Sequence, residues 1–282
     1  MNLKSILTLG ASSFALLFIS GCSSPLVYDS IWQDKPVTID GKANEWKIPL
    51  DYYDDKTKLN FSIANDGTNL YFCVRATEDE TQKGIVHNGL QIWIDTTGGK
   101  KKDMGIQFPV IQKSDMASMG SSSGQAKTDQ MEGSSASSYG MHKQYSRASK
   151  QMKITGFKGG IDGLSYLPNM YGINAYLNWD TNNIMIYEAC IPLKTFYKTS
   201  LSPKDTAKVL GVSIVITVAT KNGGGDEAAG GHHGGHGGGG GMGGGMGGGG
   251  MGGNHGSGEN KGNFSTTSAS AYIKFRLANK HS

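Results

Sequence analysis

Apolar and polar residues alternate along most of this chain with a period of two, the repeat of a strand that buries one face. The clearest cases are 59–64, 70–76 and 90–96; in the last, Leu90, Ile92 and Ile94 oppose Gln91, Trp93 and Asp95. Further runs at 37–39, 104–110, 152–157, 175–179 and 184–191 carry the same signal, as do a β-branched run at 209–219 and a last run at 271–277. Turn chemistry separates them: Asp40-Gly41, Asn65-Asp66-Gly67 and Gly98-Gly99. Helical periodicity is scarce; Glu45-Trp46 and 193–197 suggest single turns. About nine to eleven short strands with frequent turns predict an all-β protein, an antiparallel, jelly-roll-like β-sandwich.

Two stretches interrupt the pattern. Residues 113–150 hold 11 serines and almost no aliphatic side chains, and 222–263 hold 24 of the chain's 43 glycines. Both are too polar or too backbone-flexible to repay their ordering entropy and are expected to be disordered insertions. The glycines follow no three-residue period, which excludes a collagen-like helix. Outside the insertions and the first 21 residues roughly 180 residues remain, enough for one sandwich domain with two long low-complexity loops. The second insertion would be the loop of a hairpin between 209–219 and 271–277, tolerable because closure entropy grows only logarithmically with loop length. A net charge of +4 without basic clustering argues against nucleic acid as a partner.

The first residues read as a targeting signal. Lys4 gives a basic start, 6–19 are apolar but short for a spanning helix, and Ile19-Ser20-Gly21-Cys22 follows. This tetrapeptide resembles a bacterial lipobox. The resemblance implies a signal peptide over 1–21, acylation of Cys22 (palmitate among the chains), a tether over 22–36 and a sandwich over 37–282. Ser23, without acidic character, fits the periplasmic face of the outer membrane rather than retention at the inner one. The lipid would make the membrane a partner and the cell envelope the location. Two cysteines remain, Cys73 and Cys190, which an oxidising compartment could join or leave as buried thiols.

Several motifs occur together in one order. They are Ile39-Asp40-Gly41 with Glu45-Trp46, Asn65-Asp66-Gly67 with Leu70-Tyr71-Phe72, Gly89 to Asp95 with Gly98-Gly99-Lys100, and Tyr187-Glu188-Ala189-Cys190-Ile191-Pro192-Leu193. Together they resemble the carbohydrate-binding module family 9-like (DOMON-like) sandwiches over about 37–193. The resemblance implies a jelly-roll-like fold and, in better-known members, sugar or haem as ligand. Sugar rings stack on exposed aromatic faces, and a tryptophan pair is the family's device for this. Trp93 and Trp179 are the candidates here, with Gln91, Asp95 and Asn178 as hydrogen-bonding company, while Trp46 reads as a packing anchor. A haem would need axial ligands such as Met104, Met170 or His87, and the chain has no Cys-x-x-Cys-His for covalent attachment.

Other chemistry is sparser. Glu78-Asp79-Glu80, Asp66 and Asp95 offer hard oxygens for calcium, but no EF-hand loop surrounds them. The glycine tract carries His232, His233, His236 and His255 among Met242, Met246 and Met251, a soft donor set for copper, nickel or zinc without tetrahedral zinc spacing. No nucleophile elbow, Walker loop or His-Glu-x-x-His is present, so the chain is read as a binding protein and not an enzyme. The expected function is a lipid-anchored envelope protein that binds carbohydrate, with metal or haem binding or a structural envelope role as alternatives.

Overall fold

Alternating runs become strands whose apolar parity faces one shared interior. A computed structural model describes residues 26–112, 114–117, 134–221 and 264–280. One sheet has seven strands in the order β1 (Val27–Asp29), β13 (Phe264–Arg276), β12 (Val209–Lys221), β6 (Leu90–Asp95), β7 (Gly105–Phe108), β8 (Gln151–Phe157) and β9 (Ile161–Tyr166). The other runs β10 (Asn174–Trp179), β11 (Met185–Pro192), β5 (Asn69–Ala76), β4 (Leu59–Asn65) and β2 (Ile31–Trp32), and β3 (Tyr52–Asp54) also pairs with β4. Phe61, Ile63, Phe72 and Val74 of the second sheet and Ile92, Ile94, Ile214 and Phe275 of the first fill one buried core. Across it, Phe108 meets Tyr187 edge-on with ring centroids 5.8 Å apart. The fold is an all-β sandwich.

The predicted hairpin between the last two strands forms, with thirteen residue pairs from Val209↔Arg276 to Lys221↔Phe264. The sheets are mixed and not purely antiparallel, because the chain's first segment enters both. β1 lies parallel to β13, and β2 parallel to β4. Ser30, between them, is buried where the sheets meet: its hydroxyl donates to Asn65 Oδ1, and the Ala278 amide donates to both side chains at 2.9 Å. The sandwich therefore takes in Val27–Trp32, which the sequence reading gives to a tether. Conversely, the expected strand at 37–39 is irregular chain packed on the outer face of the second sheet.

Two helices were not read from the sequence. α1 (Asp79–Asn88) closes one end of the sandwich, burying Ile85 and Val86 in the core, and its Gly84 lies so close to Val218 and Thr217 that a Cβ would come within 2.8 Å of the Thr217 carbonyl. α2 (Ser134–Ala148) falls inside the insertion 113–150, expected to be disordered. Helical spacing puts His142, Tyr145, Ser146 and Ser149 on one side of this segment, and Ser146 and Ser149 are buried. Among the described residues no helix is long and apolar enough to cross a membrane.

Candidate functional site

Strand parity puts Gln91 and Trp93 on the outward face of β6, away from the core. The indole lies across Gly105 of β7: a Cβ there would stand 2.7 Å from Trp93 Cε3 and 2.9 Å from Cδ2. Its Nε1–H donates to Gln91 Oε1 at 2.9 Å, fixing the ring against the sheet. Register places Tyr272, Ser213, Trp93, Gly105 and Thr155 in one row across this face. A second row runs Val215, Gln91, Gln107, Lys153 and Leu164. The face thus carries a half-buried aromatic ring among groups that donate and accept hydrogen bonds. Leu164 and Tyr166 extend it to the β9 edge, 62 % and 67 % exposed.

Trp179 is elsewhere. It ends β10 in the other sheet and follows Ala175 and Leu177 in parity, so its ring turns inward against the core. Its Nε1–H donates to Gln82 Oε1 at 2.7 Å, and the Gln82 amide nitrogen donates to the carbonyls of Ala76 and Asn183. His142 of α2 stacks on the indole at 4.3 Å with 4° between planes. Burial holds the His142 imidazole below its usual pKa against the pull of Asp79. The expected clamp of Trp93 and Trp179 is therefore not formed, because the two rings belong to different sheets and point in opposite senses relative to the core. Trp179 instead lines a groove of about 390 Å³ between α1 and α2, with Gln82, His87, Met141, His142 and Tyr145 among its walls.

The proposed hydrogen-bonding company divides likewise. Asp95 Oδ1 accepts from the Thr97 amide and hydroxyl, and Oδ2 from the Lys101 amide, so this carboxylate builds the turn into β7. Burial raises its pKa, but these donors outweigh burial and hold it low. Asn178 faces outward on the second sheet, where Gly41 packs onto it so closely that a Cβ would come within 2.6 Å. Of the five sugar-binding candidates, only Gln91 and Trp93 share an open face; Asp95 flanks it in the turn.

The other candidates are mostly spoken for. Asp66 accepts from the Thr68 and Asn69 amides and the Tyr71 hydroxyl at 2.6–2.7 Å, a turn role that occupies the oxygens calcium would need. Glu78, Asp79 and Glu80 lie at the start of α1. Among the described residues no three histidine, cysteine, aspartate or glutamate side chains are grouped to hold a metal. Met104 packs against the core, Met170 is 90 % exposed, and neither lines the groove that holds His87, so the haem ligands do not converge. Cys73 and Cys190 are unpaired thiols facing outward on β5 and β11, diagonal to one another in register, and burial raises the Cys190 thiol to about 12. Cys22 and the tract residues His232, His233, His236, His255, Met242, Met246 and Met251 lie outside the described residues.

Trp46 is a packing anchor. It is buried on the outer face of the second sheet, and its Nε1–H donates to Glu188 Oε1 at 2.9 Å. Glu188, fully buried on β11, accepts the Asp40 and Gly41 amides on its other oxygen at 3.0 and 2.7 Å. One carboxylate thus staples the Asp-Gly-x-x-x-Glu-Trp segment to the sheet.

No family model matches the chain, and no curated protein does. Among solved structures it is similar to a carbohydrate-binding module family 9 protein from Caldicellulosiruptor kristjanssonii in complex with glucose, at 10 % identity and a TM-score of 0.32, covering 68 % of this chain and 77 % of that one. The same module in complex with cellotriose matches at 11 % identity and a TM-score of 0.31, covering 68 % and 76 %.

Proposed function

We propose that this protein is a non-catalytic carbohydrate-binding sandwich that presents the outward face of its seven-stranded sheet to a glycan, held in the cell envelope by a lipid on Cys22. The observation that carries the reading is Trp93 lying across Gly105, with its N–H tied to Gln91. A ring laid on the sheet and fixed at one edge needs little reordering to stack against the C–H face of a sugar. Gln91, Gln107, Thr155 and Lys153 surround it with hydroxyl-matching groups. The exposed Leu164 and Tyr166 lie roughly 14 Å further across, three strand spacings, which suits an extended chain better than one ring.

Affinity electrophoresis of the full chain on a panel of soluble glycans tests this. Retention on at least one glycan is expected, to be lost in Trp93→Ala. Asn178→Ala, on the other sheet, should bind as the unaltered chain does. Absence of retention on every glycan, or retention indifferent to Trp93→Ala, refutes the proposal.

A further inference from the structure

The groove between α1 and α2 holds chemistry that the sugar reading does not use. His87, in the last turn of α1, is exposed, and its Nδ1 stands 3.2 Å from the thioether sulfur of Met116, in the helical turn at 114–117. Met141 of α2 is 46 % exposed and lines the same groove as His87, next to the His142 ring stacked on Trp179. An exposed imidazole nitrogen and a thioether sulfur are thus brought together at the edge of a groove whose lining includes a second thioether and an aromatic ring.

We infer that this groove is a soft-metal site that takes Cu(I), with His87 Nδ1, Met116 Sδ and Met141 Sδ as its ligands. Distance supports the first two. Donor atoms 3.2 Å apart can both sit at ordinary metal–ligand lengths of roughly 2.0–2.3 Å from one ion, at an angle of roughly 95°. Donor type selects the ion. Thioethers bind hard cations poorly and favour Cu(I); His142 and Asp79 also line the groove, but among the described residues no three histidine, cysteine or carboxylate side chains are grouped as a zinc site requires. A set of one histidine and two methionines also lies outside the histidine, cysteine and carboxylate clusters that are absent among the described residues. Nδ1 coordination leaves the proton on His87 Nε2. Asp79, another wall of the groove, supplies negative charge for a monovalent cation. Because α1 and α2 each supply ligands, the ion would tie the second helix to the body.

The test is anaerobic Cu(I) titration against a chromophoric chelator. It uses the full chain with His232, His233, His236 and His255 changed to Ser and Met242, Met246 and Met251 to Ala, which removes the tract's own donors. One tightly held Cu(I) per chain is expected, with sulfur scattering at the copper absorption edge. His87→Gln and Met116→Leu, the latter keeping the volume packed against the core, should each weaken binding at least tenfold, with circular dichroism confirming the fold. No tight Cu(I), binding unchanged in both variants, or equally tight Zn(II) in place of Cu(I) would overturn the assignment. Glycan retention in the same variants reports separately on the sheet face.

Discussion

The Glu188 staple is the most exacting place to test the physical account of this fold. Its side chain is wholly buried and accepts three donors: the Asp40 and Gly41 amides and the Trp46 indole. Glu188→Ala strands all three beneath the segment they hold. Hydrogen bonds to a charged group contribute about 1.5–3 kcal/mol each, and a stranded buried donor costs about 1–3 kcal/mol. These terms overlap, so the expected loss is about 3–5 kcal/mol, a large part of the ~5–15 kcal/mol that stabilises a typical domain. Glu188→Gln keeps the shape and one acceptor oxygen but turns an NH₂ toward a donor, for a loss of about 1–2 kcal/mol. pH adds a signature of its own. Burial raises the Glu188 pKa above its ordinary value, although the Gly41, Asp40 and Trp46 donors oppose it. The folded chain therefore holds this proton to higher pH than the unfolded chain. Its contribution to stability is greatest below the ordinary glutamate pKa, falls as pH rises through the raised value, and is level above it. Urea unfolding at several pH values should show the gap between the unaltered chain and Glu188→Gln narrowing as pH rises. A gap that widens, or an alanine variant less than about 1 kcal/mol weaker, would refute the reasoning.

Two further predictions concern groups with simpler surroundings. The Tyr187 hydroxyl is buried between the sheets without a hydrogen-bond partner, so Tyr187→Phe should be neutral or raise the urea midpoint by up to about 1–2 kcal/mol of stability; a clear loss would mean that a buried water serves the hydroxyl. Cys22→Ala should abolish fatty-acyl labelling and move the protein from the membrane fraction to the soluble one. Membrane association that survives the change would place the anchor elsewhere.

Strands with strict alternation were legible because each buries one face in the core. Leu59–Asn65, Asn69–Ala76, Leu90–Asp95 and Val209–Lys221 stand close to where the pattern puts them. Short edge strands were not. Val27–Asp29 and Ile31–Trp32 give too few residues to show a period, and Ile161–Tyr166 is masked by glycines at 159, 160 and 163. α1 hides because Gln82, not an apolar residue, fills a buried position through three hydrogen bonds. Its acidic first turn and the Gly89 that ends it were nonetheless readable as helix signals. α2 lies in a serine-rich run whose ordered face, from His142 to Ser149, gains its meaning only from the Trp179 ring it covers. For the same reason parity identified the Trp93 face correctly, whereas the pairing with Trp179 needed knowledge of which sheet each strand joins.

The pairing of β1 with β13 sets an order of events as well as a shape. The first strand of the body has its partner in the last, joined by the Asp29–Arg276 ion pair and the Ser30 amide on the Arg276 carbonyl. A chain that folds progressively from its N-terminus can bring β2 through β5 together early, but β1 has no edge to join until Arg276 is in place. Until then β12 also lacks one neighbour and offers an open row of amides and carbonyls to other chains. Truncation before Phe264 should therefore do more than remove one strand. It would leave the start of the protein unattached and a long apolar strand with a bare edge, a state suited to aggregation and to capture by chaperones.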